Sequence, residues 1–188
     1  IRKLSKEELQ EREPHVNGVE AILVPMAGIV DYRQVCDKMG EIIQNKGGEI
    51  FLNERVQAIS EKEEVTVESD TSTFKGKYLI NCAGLYSDKI ARLAGYILDM
   101  KIIPFRGEYF QIKPKRRFLV KHLIYPVPNP QFPFLGVHFT RMIDGKVDVG
   151  PNAVLSFKRE GYKKTDFRLD EAVEIFAYKG FWKLARRY

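Results

Sequence analysis

Apolar residues recur in two spacings along the first part of the chain, and the spacing changes at proline and glycine. Residues 19–24 form a short apolar run typical of a strand, and residues 25–30 are turn-like. The following apolar positions predict one face of a helix: Val35, Met39, Ile42 and Ile43. Asp31 is a suitable N-cap for this helix, and the glycine pair at 47–48 is a suitable stop.

Short strands are then predicted, joined by polar turns, at residues 49–53, 54–62, 64–69 and 72–81. A second helix is predicted to begin near Ser87, whose hydroxyl can cap it, with Asp88 in the first turn. Further on, residues 102–113 read as a long strand, and residues 134–150 read as a hairpin with a turn at Asp144-Gly145. Helical spacing returns from about Leu169.

This order of elements predicts a mixed α/β (α+β) fold. Residues 19–95 indicate an α/β layer with an antiparallel insertion, and residues 101–155 indicate a mainly antiparallel sheet. A boundary is expected near residues 96–101. With 44% hydrophobic residues, the 188-residue chain can bury a core and is not a disordered segment.

Charge and cysteine content narrow the functional classes only partly. The chain carries 31 Lys and Arg against 25 Asp and Glu, which would attract phosphates, acidic metabolites or an anionic membrane surface. The longest apolar stretch contains Pro25 and Gly28 and is shorter than the about 20 residues that a bilayer span needs. Cys36 and Cys82 lack zinc or disulfide spacing, so we predict no metal site and a reducing, cytoplasmic location.

Small residues at 82–84 precede the second predicted helix. Cys82, Ala83 and Gly84 would let a cofactor pyrophosphate approach the backbone, and the helix N-terminus would supply N–H groups. The alternative is that glycine serves the geometry of a strand-to-helix turn alone. The sequence of this turn leaves both interpretations open.

Several segments, in order along nearly the whole chain, resemble the D-amino-acid-oxidase-like family of FAD-dependent oxidoreductases, and within it the L-2-hydroxyglutarate oxidase/dehydrogenase branch. These segments are residues 12–36, 56–59, 80–95, 104–114, 123–162 and 181–188. The resemblance implies part of a glutathione-reductase-type FAD domain beside an antiparallel substrate domain. The implied divisions are a substrate-domain entry segment at 1–26, a partial FAD domain at 27–98 and a partial substrate domain at 99–188.

The family's glycine-rich G-x-G-x-x-G turn is missing from these residues, and nothing after Tyr162 matches its C-terminal glycine segment. Both ends of the chain look cut. We therefore expect an internal segment of a longer flavoenzyme that binds FAD poorly when isolated.

The resemblance implies a role for individual residues on the cofactor side. The backbone of Val56 would face the adenine, although a plain core valine is the alternative. Ala83 and Gly84 would lie beside the pyrophosphate, with Tyr86 and Ser87 near them. Gly107 would let the flavin ring or the substrate pack against its strand.

On the substrate side, oxidation of a small dicarboxylic 2-hydroxy acid needs a base and cations for two carboxylates. Strand alternation puts His138 and Thr140 on one face, with Leu135, Val137 and Phe139 opposite. His138 is the preferred base or carboxylate partner, and Thr140 is a hydrogen-bond donor. A histidine bonded to a backbone carbonyl is the alternative.

Further candidates for substrate binding are Arg106, Tyr109 and His15. Pairing with Glu108 is the alternative for Arg106, and a cap or surface role is the alternative for His15.

Three other interpretations stay open. The parent could be a glycine or sarcosine oxidase or a glycerol-3-phosphate dehydrogenase of the same family. The basic runs at 113–117 and 157–164 could bind nucleic acid, but no RNP, KH or helix-turn-helix signature supports this, and we predict no nucleic-acid partner. Compared with a nucleic-acid partner, we favour a quinone or membrane-surface electron acceptor, with attachment to the inner face of a membrane.

Overall fold

The computed structural model describes residues 1–131 and 136–187. These residues form two compact units, one from residues 1–46 and 107–154 and the other from residues 47–106 and 155–188. Helices accompany small antiparallel sheets in the described part, which confirms the predicted mixed α/β class. The division at residues 26 and 98 stays a prediction.

The helices are α1 (Lys6–Arg12), α2 (Tyr32–Asn45), α3 (Ser87–Leu93), α4 (Leu169–Phe176) and α5 (Lys179–Ala185). The strands are β1 (Arg2–Leu4), β2 (Ala21–Leu23), β3 (Val56–Glu61), β4 (Val65–Ser69), β5 (Thr73–Gly76), β6 (Phe105–Arg106), β7 (Phe110–Gln111), β8 (His138–Arg141), β9 (Val147–Gly150) and β10 (Val154–Leu155). Short 3₁₀ helices cover Gly84–Tyr86 and Pro114–Leu119. Within the described residues, every helix is too short or too polar to cross a bilayer.

In the first unit, β1 pairs with β2, and β9 lies between β7 and β8, all antiparallel. The predicted Asp144-Gly145 turn joins β8 to β9: Gly145 has φ 79°, and Lys146 N–H donates to Asp144 Oδ1 at 3.0 Å. The left-handed φ is one that glycine adopts without strain. This hairpin is confirmed within the described residues, whereas residues 134 and 135 of the predicted segment, including Leu135, lie outside them.

Helix α2 forms where the sequence predicts it, because Asp31 Oδ1 accepts a hydrogen bond from Arg33 N–H at 2.9 Å. Its apolar face is only partly covered by the described residues: the exposed fractions are 36% for Val35, 60% for Met39 and 45% for both Ile42 and Ile43. The buried apolar residues of this unit are Leu4, Val120 and Val147.

Helix α1 is absent from the sequence-based prediction. Ser5 caps it through a capping box, in which Glu8 N–H donates to Ser5 Oγ at 3.3 Å and Ser5 N–H donates to Glu8 Oε2 at 2.9 Å. The S-x-x-E pattern at residues 5–8 is the signal that would have predicted this helix start.

In the second unit, β4 lies between β3 and β5, and the pairing places Ile59, Val67 and Phe74 in register across the sheet. The strands predicted at 54–62 and 64–69 are confirmed. Helices α4 and α5 bury Ala172, Ile175 and Phe181. Helical structure after residue 169 is also confirmed.

Three predicted strands are wrong in whole or in part. Residues 49–53 form no strand, the strand predicted at 72–81 ends at Gly76, and residues 102–113 contain only the two short strands β6 and β7. A strand needs a hydrogen-bonded neighbour, and no described strand pairs with residues 77–83, where Tyr78 is 80% exposed. Between β6 and β7, Glu108 N–H donates to the Asn152 side chain at 2.8 Å instead of to a ladder.

Candidate cofactor and substrate sites

The turn at residues 82–87 leaves its glycine open. Gly84 has φ 53°, a left-handed conformation that favours glycine, and a side chain built on it would meet nothing within 4 Å. The Ala83 N–H is held by Asn81 Oδ1 at 3.2 Å. The positive φ and the open space are compatible with both interpretations of this glycine, as a turn residue and as a place for close approach of a ligand.

Two adjacent backbone N–H groups of this turn have no acceptor among the described residues. The 3₁₀ turn closes through the bond from Tyr86 N–H to Ala83 O at 2.9 Å, so the N–H groups of Gly84 and Leu85 precede its first internal bond. Neither of them donates to a described residue, and both residues are exposed. Neighbouring backbone N–H groups at an open glycine are a suitable cradle for a phosphate oxygen.

The N-terminus of α3 does not act as the sequence predicts. Ser87 Oγ donates to Gly84 O at 2.9 Å and does not cap the helix, whose N-cap position is Tyr86 with no side-chain hydrogen bond. Asp88 already accepts the Lys89 N–H, at 2.9 Å. A carboxylate therefore occupies the end of the helix that we expected to receive an anion, and the cradle consists of the preceding turn.

A cavity of about 1180 Å³ lies within the second unit, and Val56 and Tyr86 both line it. Val56 begins β3 and is half-buried, beside a β-bulge in the pairing with β4. Two of the residues predicted to face the cofactor thus border one cavity. Asp88 and Arg159 also line this cavity and form a buried ion pair, which the sequence did not predict.

Arg159 binds Asp88 through the two terminal nitrogens of its guanidinium group. Nη1 donates to Oδ1 at 2.6 Å and Nη2 donates to Oδ2 at 2.8 Å, and the two side chains are 3% and 4% exposed. Nη1 also donates to Leu85 O, and the Arg159 N–H donates to buried Glu171 at 2.6 Å. Arg159 lies in the basic run at residues 157–164, and no local pattern distinguishes it from the neighbouring lysines.

Burial and pairing act in opposite directions on the charges of this pair. Burial alone would raise the pKa of Asp88, but hydrogen bonds from Arg159 and from the Ile102 N–H outweigh it and lower that pKa below its usual value. Burial would lower the pKa of Arg159, but the Asp88 carboxylate outweighs it and raises that pKa. Both groups are therefore charged at neutral pH. The pKa of Tyr86 is raised, first by burial and then by Glu160 and Glu171.

In the first unit, His138 lies in β8 with 9% of its surface exposed. Its Nδ1 is 3.2 Å from Gly136 O. Because a carbonyl oxygen can only accept, Nδ1 must carry the proton, and Nε2 of the neutral ring is an acceptor. The backbone-bonded histidine that was the alternative interpretation is thus present, and the same bond leaves Nε2 suited to take a proton.

Two tyrosines surround the imidazole of His138. The Tyr125 ring stacks on it with centroids 4.6 Å apart and planes inclined by 30°, and the Tyr109 ring meets it edge-on at 6.5 Å. Thr140 is half-buried on the same strand, opposite Asp148 of β9. The structure therefore brings Tyr109 and His138 together, as strand alternation could not show for residues so distant in sequence.

The remaining predicted residues are placed as follows. His15 is exposed and lies edge-on to Phe118 at 6.0 Å. Arg106 belongs to the second unit, where its Nη1 donates to Lys163 O at 3.0 Å and to Gly161 O at 3.4 Å. Their roles in substrate binding stay predictions. Among residues 1–131 and 136–187, no group of acidic, histidine or cysteine side chains could hold a metal ion.

The structure gives a reason for the glycine at position 107 that the sequence did not reveal. A Cβ on Gly107 would lie 2.9 Å from Pro151 Cβ and 3.5 Å from the Tyr109 ring. The space beside this glycine is therefore filled by the protein's own proline. Packing against Pro151 explains the glycine without a flavin, and the predicted contact with the flavin stays a prediction.

Known proteins resemble this chain over nearly its whole length. L-2-hydroxyglutarate dehydrogenase of Indibacter alkaliphilus is 51% identical over 100% of the chain and 47% of that protein. The protein of the same name from Escherichia coli K12 is 46% identical over 98% of the chain and 44% of its own length. The human mitochondrial L-2-hydroxyglutarate dehydrogenase is 42% identical, over 98% of the chain and 43% of its own length. The chain thus spans a little under half the length of these curated relatives.

A solved structure supports the fold. The L-α-glycerophosphate oxidase of Mycoplasma pneumoniae, reduced with dithionite and with FAD bound, superposes with a TM-score of 0.58 at 22% identity, over 97% of this chain and 47% of that one. The family model described as FAD dependent oxidoreductase matches residues 1–188. The chain therefore belongs to the DAO family of FAD dependent oxidoreductases.

Proposed function

We propose that the complete gene product oxidises L-2-hydroxyglutarate to 2-oxoglutarate with FAD. The observation that carries this proposal is the set of relatives named L-2-hydroxyglutarate dehydrogenase, which are 42–51% identical to this chain over 98–100% of its length in bacteria and animals. In this reaction the C2 hydrogen leaves as a hydride and the hydroxyl group loses a proton.

Bound FAD would supply the hydride acceptor. On the protein side, the Gly84 and Leu85 N–H groups would bind an oxygen of its pyrophosphate, since they lack an acceptor among the described residues. Val56 and Tyr86 would border the same cofactor, because they line one cavity. The open backbone at Gly84 fits a ligand that must approach closely, and a side chain there would occupy that space.

His138 would take the proton from the substrate hydroxyl at Nε2. The Gly136 carbonyl fixes the tautomer, and Tyr125 fixes the plane of the ring by stacking on it. A base held in one orientation needs no rearrangement at the moment of proton transfer. Thr140 and Tyr109 would donate hydrogen bonds to the substrate, and Arg106 and His15 would contribute to its carboxylates; Thr140 is assigned from its place on the face of β8 that carries His138.

The substrate assignment is tested with the purified complete gene product. We expect a flavin absorption spectrum with stoichiometric FAD, and bleaching of the flavin by L-2-hydroxyglutarate under anaerobic conditions. We expect kcat/KM for L-2-hydroxyglutarate to exceed that for glycine, sarcosine and glycerol 3-phosphate by about 100-fold or more. Preference for one of the other three compounds would reassign the substrate, and a protein without flavin would refute the proposal.

We further propose that reduced flavin passes its electrons to a quinone at an anionic membrane surface. The support is the formal net charge of +6. We expect the protein to sediment with vesicles that contain anionic lipid at low salt and to be released as salt rises, because surface charges are screened over about 8–10 Å at physiological ionic strength. Neutral vesicles are the control. Equal binding to both kinds of vesicle, or to neither, would contradict this proposal.

A further inference from the structure

We propose that Arg159 is a positioning residue for the FAD-binding turn, which means that it sets the affinity for FAD without touching the substrate. The inference rests on the proposed function, because it assumes that Gly84 and Leu85 bind the FAD pyrophosphate. It assigns to residues 155–171, which follow the predicted substrate strands, a role in holding the cofactor.

The side chain of Arg159 connects three parts of the second unit. Its guanidinium holds both oxygens of Asp88, at the start of α3, and donates to the Leu85 carbonyl in the 3₁₀ turn. Its own N–H is held by Glu171 of α4, at 2.6 Å. The Tyr86 ring lies 5.8 Å from the guanidinium carbon. Arg159 therefore links α4, through its backbone N–H, to the start of α3 and to the turn, through its guanidinium.

The Leu85 carbonyl matters because of its place in the turn. It lies on the same residue as one of the two N–H groups that lack an acceptor, and the other belongs to Gly84. Glycine gives this backbone wide rotational freedom, so the direction of these N–H groups depends on what anchors the turn. Asn81 and Ser87 anchor the turn from within. Arg159 anchors it from the other side, through Leu85 O and Asp88.

Lysine at position 159 would show whether the positive charge or the hydrogen-bond geometry of the guanidinium matters. A lysine ammonium keeps the positive charge that Asp88 requires, but its three N–H donors share one nitrogen, so it cannot span two carboxylate oxygens and a carbonyl as a planar guanidinium does. The substitution R159K therefore leaves the buried carboxylate paired while it releases the Leu85 carbonyl. A loss of FAD affinity in R159K would report the position of the turn and not the loss of a charge.

The experiment uses the complete gene product. Apoprotein of the wild type and of R159K is titrated with FAD, and we expect the Kd for FAD to rise by about tenfold or more, since a displacement of about 1 Å in a binding group has effects of this size. At saturating FAD, kcat and the KM for L-2-hydroxyglutarate are expected to stay within about twofold of the wild type, which is the pattern of a lost cofactor contact.

The matched control is E13Q. Glu13 is also a buried carboxylate, 4% exposed, and accepts the N–H groups of Lys121 and His122 in the first unit. We expect E13Q to lower the melting temperature while the Kd for FAD stays at the wild-type value. R159K protein that melts lower and yet binds FAD like the wild type would overturn the inference.

Two further outcomes keep the tests separate. Wild-type protein that binds no FAD, or that does not oxidise L-2-hydroxyglutarate, would refute the proposed function, and with it the role of Arg159 that rests on that function. Should R159K not fold, hydrogen exchange of the wild type decides: added FAD is expected to slow exchange in the peptide containing Gly84 and Leu85 and in the peptide containing Arg159. Protection of neither peptide, or of one only, would overturn the inference.

Discussion

Substitution of His138 by glutamine is expected to lower kcat by about 10²–10⁴-fold, the range that a positioned general base contributes. Glutamine is uncharged at every accessible pH and cannot accept a proton from an alcohol. The neighbouring groups, Gly136 O and the Tyr125 ring, would keep their places, because glutamine is close to histidine in size and polarity. We therefore expect the loss to fall on kcat, with the content of bound FAD unchanged.

The measurement is the rate of flavin reduction by L-2-hydroxyglutarate in a stopped-flow instrument, compared for the wild type, H138Q and H122Q. His122 is the matched control, because its Nδ1 is engaged 2.7 Å from Glu13 and its side chain is 55% exposed. We expect H122Q to retain nearly the full rate of flavin reduction. A rate in H138Q equal to that of H122Q would remove His138 from the mechanism.

The second large effect concerns stability. Asp88→Asn is expected to lower the free energy of unfolding by about 3 kcal/mol, because it removes the carboxylate that holds two guanidinium nitrogens and leaves the buried cation with only the half-exposed Glu174 carboxylate, 3.8 Å away. Arg159 is only 3% exposed, so little water reaches its guanidinium to replace the lost carboxylate. Removal of both charges, in D88N/R159M, should recover part of this loss, since a buried pair replaced by uncharged groups often costs little.

Urea unfolding of the two variants and the wild type measures these differences. D170N is the control, because Asp170 pairs with Arg168 on the surface, where the side chains are 51% and 56% exposed. We expect D170N to unfold close to the wild-type midpoint. A midpoint for D88N that coincides with that of D170N would show that the buried pair contributes nothing measurable.

The same pair predicts how stability changes with pH. The pKa of Asp88 is lower in the folded protein than in the unfolded chain, so its contribution is present above the unfolded value, about 3.9, and is lost as pH falls through the folded value. Arg159 has a raised pKa and stays protonated throughout this range. The wild type should therefore lose more stability than D88N between about pH 5 and about pH 2.

Local signals were enough to predict the elements whose stability depends on nearby residues. Helix α2 follows from Asp31 and the helical spacing of its apolar residues, and the β8–β9 hairpin follows from Asp144-Gly145. The strand with His138 was predicted to carry a histidine on one face, although the partner rings, Tyr125 and Tyr109, could not be foreseen. Those contacts depend on how distant segments fold together.

The parts that sequence reasoning missed depend on distant partners. Asp88 and Arg159 are 71 residues apart, and nothing in either local pattern marks a buried pair. Residues 77–83 have the composition of a strand, but a strand forms only beside another strand, and none lies beside them in the described part of the chain. At Gly107 the deciding atom belongs to Pro151, which a strand pattern cannot locate.

The bond from the imidazole to the Gly136 carbonyl has a consequence for how an oxidation cycle would end. With one ring nitrogen bonded to the backbone, the proposed base His138 would receive a proton at its other nitrogen and would not pass it onward through the ring. The proton gained in one turnover has to depart through the same nitrogen that received it. His138 would therefore lose this proton only after the keto acid has left and water has entered. Release of the product would thus have to precede regeneration of the base.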